Sequence, residues 1–173
     1  MTTSIYDMSV ASYLQIISGA LNVMDKGAEY CVENGIDAND IVSKRMCDDM
    51  LPFHFQVVSV VHHSLGAIRG MTKGEFGPPS GYPDTDYAGL RAMLQSAYDE
   101  LAAMDKDTVN KLAGGATVFK FGDIEMPFTN ENFVLSFSHP NVYFHATTTY
   151  DILRAMGVNI GKRDFMGRTR MGV

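Results

Sequence analysis

Five histidines, His54, His62, His63, His139 and His145, are the side chains of this chain best suited to moving protons near neutral pH. His145 stands out by its setting. At about 100° per residue, Val134, Leu135, Ser138, Val142, His145, Thr149, Ile152, Leu153 and Met156 share one broad helical arc. An imidazole inside an apolar arc has to be hydrogen-bonded, metal-bound or neutral. Asn141 stands one turn before it and Thr149 one turn after, while Thr147, Asp151 and Arg154 fall on the opposite side. Two readings stay open. His145 is either a core histidine satisfied by a nearby hydroxyl or carbonyl, or a general acid–base whose substrate is oriented by Asn141, Gln56, Tyr143 or Tyr150.

Other chemistry finds less support in the spacing. Two histidines share a metal from one helix when they stand three or four apart, and the residues four from His145 are Asn141 and Thr149. His139 is six residues away beside Pro140, on a different face. The expectation is therefore no metal ligand set and no cofactor, with a divalent metal as the alternative. Cys31 and Cys47 form no CxxC or CxxxH pattern, and no Ser-His-Asp or Cys-His arrangement supplies a nucleophile. Proton transfer of an isomerase-, cyclase- or lyase-like kind is favoured over hydrolysis.

Four helical stretches have to position these groups. The first runs from about Ser9 to Asn34, with Tyr13, Ile17, Leu21 and Met24 on one face and Gly35 as its stop. The second is expected from about Ser43 to Met71, with Met46, Met50, Phe53, Val57, Val61, Ser64 and Ile68 as its stripe and Pro52 in its first turns. On this stripe His54 lies closest to the apolar face, and His62 and His63 lie at opposite edges. A glycine- and proline-rich loop from Gly74 to Pro83 precedes a third helix beginning near Asp84. The fourth starts near Thr129 or Asn130 and ends at Gly157. Before it, Thr117–Phe121 and Ile124–Phe128 alternate about Gly122 and predict a β-hairpin over one end of the bundle.

The chain of 173 residues suits one domain over 1–173, and its 46% apolar content suffices for a full core. A net charge of −6 argues against nucleic acid as a partner. No apolar stretch is long enough for a membrane span, and Met1–Asp7 shows no basic segment followed by an apolar run. A cytoplasmic protein is expected. Its twelve methionines fall mostly on helix stripes, as adaptable core filling, and a Met- and Phe-lined cavity would suit an apolar or aromatic small molecule.

PNVYFHATTTYDILR at Pro140–Arg154 and GKRDFMG at Gly161–Gly167, with Tyr6-Asp7 and Asp49-Met50-Leu51-Pro52 before Gln56-Val57, resemble a domain-of-unknown-function family of the DinB/YfiT-like superfamily. The resemblance covers essentially the whole chain. It implies an all-α, up-down four-helix bundle, here with the short hairpin between helices 3 and 4, and a homodimer. In that superfamily some members hold a divalent metal on three histidines, one from the second helix and two four apart on a late one. The second-helix position corresponds to His63, and Gln56 lies on the same face seven residues earlier. These two are therefore preferred to His54 as partners of His145. The second late-helix histidine is missing. The resemblance also admits metal-dependent chemistry, or a non-catalytic ligand-binding or stress-related dimer. The GKRDF segment either caps helix ends and pairs on the surface, or folds back over the bundle mouth with Phe165 as anchor.

Overall fold

A computed structural model describes residues 3–171, so Met1 and Thr2 of the Met1–Asp7 segment lie outside the described residues, as do Gly172 and Val173. The chain opens with a short helix, α1 (Ile5–Met8), closed by a capping box between Ser4 and Asp7. The long α2 (Val10–Asn34) follows and ends where Gly35 turns left-handed at φ 65°. After the brief α3 (Asn39–Val42), residues 43–52 form turns rather than the expected helix. The physical reason is Pro52. It clashes with a helical Leu51 before it, so α4 (Phe53–Val61) starts only at the next residue, with Pro52 extended at ψ 171° as its cap. Met46 (44% exposed) and Met50 consequently leave the stripe assigned to them.

The second helix is interrupted again. His62–Gly66 winds as a π-helix before α5 (Ala67–Lys73) resumes. Beyond Gly74 comes β1 (Glu75–Phe76), then α6 (Tyr87–Ala102), whose Asp86 cap accepts from the Gly89 N–H at 2.7 Å. The short α7 (Lys106–Asn110) leads into β2 (Ala116–Phe121) and β3 (Ile124–Thr129). The hairpin has the expected place and pairs Phe121 with Ile124 across Gly122. Parallel pairing of β1 with β2 makes it a three-stranded sheet. Pro127 is accommodated on the edge strand β3.

The last helical stretch comprises α8 (Asn130–Asn132), a second π segment (Phe133–Ser138) and α9 (His139–Ala155). The π turn breaks the constant angle per residue assumed for the arc. Val134, Val142, Thr149 and Ile152 are buried, but His145, expected among them, is only partly buried and Leu135 is 50% exposed. The helices pack α2 against α6 and α9, and α4 against α6 and α9, around Tyr13, Ile17, Met24, Phe53, Leu94, Phe133 and Leu153. The sheet is joined to the π segments by aromatic contacts, including Phe119–Phe137 (4.8 Å between centroids) and Phe76–Phe133 (5.2 Å). The protein is thus mostly helical with one small sheet. No helix among the described residues is long and apolar enough to cross a membrane.

The Gly161–Gly167 segment carries the turn α10 (Lys162–Phe165), which lies along α2. Asn22 donates to the Asp164 carbonyl (3.0 Å), Lys26 pairs with the Asp164 carboxylate (2.7 Å), and Phe165 packs edge-on to Tyr150. A Cβ at Gly19 would collide with the Phe165 carbonyl oxygen, so this crossing demands glycine. The tail therefore folds back with Phe165 packed inward, against the side of α2 and α9.

Candidate functional site

The site is built where α4 faces α9. Gln56 is 2% exposed, and its Nε2 donates to the Leu51 carbonyl at 2.8 Å. A carbonyl can only accept, which fixes the orientation of the amide and turns Oε1 toward His145. His145 Nδ1 lies 2.8 Å from that oxygen and so carries the proton. The chain Leu51–Gln56–His145 therefore selects one tautomer and leaves Nε2 as the unprotonated nitrogen. Burial, with a smaller effect from His62, lowers the His145 pKa to about 4.

His63 sits in the first π segment, 6% exposed, with its ring tilted only 13° from that of His145 and 5.8 Å away. Burial first, then His62 and His145, pushes its pKa down to about 3. Its Nδ1 is buried without a partner among the described residues. Its neighbour His62 does not line the cavity and points to the loop beyond α5. His62 donates from Nε2 to the Gly77 carbonyl (2.7 Å), accepts from Tyr82 (3.3 Å) and stacks on Phe76. It thereby ties the Gly77–Tyr82 loop to the helix.

The two π segments meet directly. Ser138 of the second donates to the backbone carbonyl of His63 in the first, and the Tyr13 hydroxyl donates to Ser138 Oγ at 2.6 Å. Such turns leave carbonyls without their usual helical partner, and they recur at functional sites.

A cavity of about 310 Å³ opens here. Phe55, Phe119, Phe121 and Phe137 wall it with Pro78 and Pro79, and its polar groups are Ser59, His63, Asn141 and His145. Among the described residues phenylalanine, but no methionine, lines it. No described Lys, Arg, Asp or Glu lines it either. Ser59 Oγ is fully buried and unpartnered among the described residues. By contrast Ser9, Ser64, Thr148 and Thr149 each donate to the carbonyl four residues earlier. A second cavity, of about 300 Å³ between α5 and α7, has Asp105 as its one charged group, and that side chain caps α7.

Of the residues singled out from sequence, Gln56, His63, Asn141 and His145 come together. Thr149 is buried, but its hydroxyl is spent on the His145 carbonyl (2.9 Å). Tyr143 is 43% exposed, packs near His139 and lies outside the cavity, because it stands two residues, about 200° around α9, from both Asn141 and His145. Tyr150 donates to the Ile160 carbonyl (3.3 Å). His54 bonds the Pro83 carbonyl (3.1 Å), away from the cavity. Ser59 was not singled out. Its position four before His63 and three after Gln56 was the available signal.

The three-histidine metal site that the resemblance implies is not matched by these donors. Asn141 stands where the second late-helix histidine would be, and its Nδ2 donates to the Phe137 carbonyl at 2.7 Å. Among the described residues, no three His, Cys, Asp or Glu side chains converge. Two imidazoles and an amide are a poor set for a borderline-soft ion.

A crystal structure of a DinB family member protein from Shewanella denitrificans is similar over 98% of this chain and 95% of its own, with a TM-score of 0.81 and 22% identity. That likeness establishes the fold. No curated protein matches the chain. The family model "Domain of unknown function (DUF1993)" matches residues 5–166, and the chain belongs to that family.

Proposed function

We propose that this member of the DUF1993 family is an enzyme that relocates a proton on a small, largely apolar or aromatic molecule, in an isomerase-, cyclase- or lyase-like reaction. One observation carries the reading. The Leu51–Gln56–His145 chain presents an oriented imidazole, unprotonated at Nε2, to a cavity otherwise walled by apolar groups. On taking a substrate proton at Nε2, His145 becomes an imidazolium whose Nδ1–H bond to Gln56 strengthens. The anion left on the substrate stays beside that cation in a medium of low dielectric, where the pair is held firmly. Returning the proton to a different atom completes an isomerisation. Asn141, Ser59 and His63 supply polar contacts for orientation.

The reading takes the four packed helical stretches as an up-down bundle and the protein as a cytoplasmic homodimer. The exposed side chains of Leu135 and Phe144 support an apolar surface for a second copy.

A general-base probe tests the proposal. Nitrobenzisoxazole is planar and uncharged, and removal of its ring C–H proton breaks the N–O bond to release a coloured cyanophenolate. Turnover above that of free imidazole is expected, flat from about pH 6 upward and declining toward the His145 pKa of about 4. Equal rates for the wild type and a folded His145→Ala would overturn it. The low proton affinity of His145 favours a second reading, a binding protein without turnover. That reading predicts ligand binding with no probe reaction.

A further inference from the structure

We infer that the occupant of the His145 cavity is an uncharged, planar compound of one or two rings that bears a hydroxyl or N–H donor beside an acceptor atom, a phenol- or enol-like molecule. The inference rests on this cavity being the functional site and adds the class of molecule it takes.

Three observations carry it. The first is the wall. Four phenylalanines and two prolines around about 310 Å³ give flat apolar surfaces and room for a small ring system. The second is the absence of a charged lining residue. A carboxylate or phosphate entering would leave water without a cation to receive it, because both imidazoles are neutral at physiological pH.

The third is the set of unmatched atoms. His145 offers Nε2 as an acceptor, since Gln56 has fixed the proton on Nδ1. The Ser59 hydroxyl and His63 Nδ1 are buried and unpartnered among the described residues. Ser59 is the telling one. Ser9 and Ser64 return their hydroxyls to the carbonyl four residues earlier and Ser138 spends its own on the His63 carbonyl, whereas Ser59, a residue of the cavity wall, has no partner for its hydroxyl among the described residues. Buried polar groups are otherwise almost always satisfied, and a ligand that donates to Nε2 and accepts from Ser59 would satisfy two of these three atoms.

The chain has no tryptophan, so a naphthalene fluorophore can be excited apart from the protein's tyrosines. β-Naphthol, naphthalene and naphthoate are titrated into the full chain, wild type and Ser59→Ala. β-Naphthol should bind about tenfold more tightly than naphthalene, the worth of one net hydrogen bond, and naphthoate no more tightly than naphthalene. Ser59→Ala should weaken β-naphthol about three- to tenfold, leave naphthalene unchanged and leave the melting temperature unchanged or higher, since an unpaired hydroxyl is removed. Binding of β-naphthol should also move the imidazole nitrogen resonances of His145.

Equal affinities for β-naphthol and naphthalene would overturn the donor–acceptor requirement. Tighter binding of naphthoate would overturn the uncharged class. A Ser59→Ala protein that melts lower with unchanged β-naphthol affinity would make the hydroxyl a structural group and remove the third observation. Nitrobenzisoxazole turnover in the same preparations separates the two claims. Turnover without β-naphthol preference defeats the ligand class alone, and β-naphthol binding without turnover defeats the catalytic reading alone.

Discussion

The helices α2 and α6 run without a π turn, while the helical stretches that carry His63 and His145 each contain one. The regular pair meets the rest of the molecule through buried apolar side chains such as Ile17, Met24, Leu90 and Leu94. The irregular pair is held together by the bond from Ser138 to the His63 carbonyl and by Gln56 to His145. It also contains Ser59 Oγ and His63 Nδ1, buried and without a partner among the described residues. The difference teaches where this fold departs from what is best for stability alone. A π turn and an unpartnered buried hydroxyl both carry an energetic penalty, and here they coincide at one cavity.

The comparison is broken most directly at His145. Its replacement by alanine should lower probe turnover about a hundredfold to ten-thousandfold, the usual contribution of a positioned base, while the fold survives. The same change orphans Gln56 Oε1, so a stability loss of about 1–3 kcal/mol is also expected. A large drop in melting temperature with unchanged ligand binding, with His145→Gln behaving alike, would instead make this histidine structural.

Leu94→Ala, in the regular pair, should cost about 2–5 kcal/mol of stability by denaturant unfolding, yet leave turnover per folded molecule unchanged. A turnover loss as deep as that of His145→Ala would erase the distinction between the two regions. Ser138→Ala should cost about 1–3 kcal/mol, because both the Tyr13 hydroxyl and the His63 carbonyl lose their partner. It should also shift the His63 imidazole signals, which Ser64→Ala, a change to a hydroxyl that only returns to its own helix, should do far less.

Acid should act through the irregular pair. His63 and His145 have folded pKa values of about 3 and about 4, below their unfolded value of about 6.5. The unfolded chain therefore binds protons first. Stability from these groups is fully present above about pH 6.5 and is lost as pH falls toward about 4, at up to about 1 kcal/mol per pH unit for His63 and less for the more exposed His145. A His63→Phe protein should show a shallower decline in chemical denaturation across that window, and an identical slope would contradict the assignment. The smallest effect expected is that of metal. Dialysed protein should hold well below one equivalent of zinc, nickel or iron by elemental analysis, and a stoichiometric ion would show that the donor set has been underestimated.

Residues whose surroundings are periodic were readable in advance. Tyr13, Ile17 and Met24 repeat at helical spacing and Gly35 ends their helix as its type predicts. His145 was legible for the same reason, and Gln56 and His63 through the resemblance to relatives. Leu135 falls off the arc because a π turn carries no residue signature and changes the angle per residue within it, while Tyr143 stands two residues from His145 on regular α9 and so faces elsewhere. The start of α4 is set less by Pro52 itself, which a first turn tolerates, than by its effect on Leu51, which prevents that turn from forming. The two-residue strand β1 depends on distant pairing with β2, which no local pattern announces. Ser59 looked ordinary, since only its missing bond distinguishes it from other helical serines.

The Leu51 carbonyl that anchors Gln56 belongs to the turn segment 43–52, and the Leu51 side chain is 52% exposed. Segments of this kind open locally at a small fraction of the global unfolding free energy, on timescales far shorter than unfolding of the domain. Each opening releases the amide from its fixed orientation, and the imidazole is then free to exchange its proton between ring nitrogens. Hydrogen exchange at the Leu51–Phe53 backbone and the lifetime of the His145 tautomer should consequently share one rate, set at the surface of the molecule.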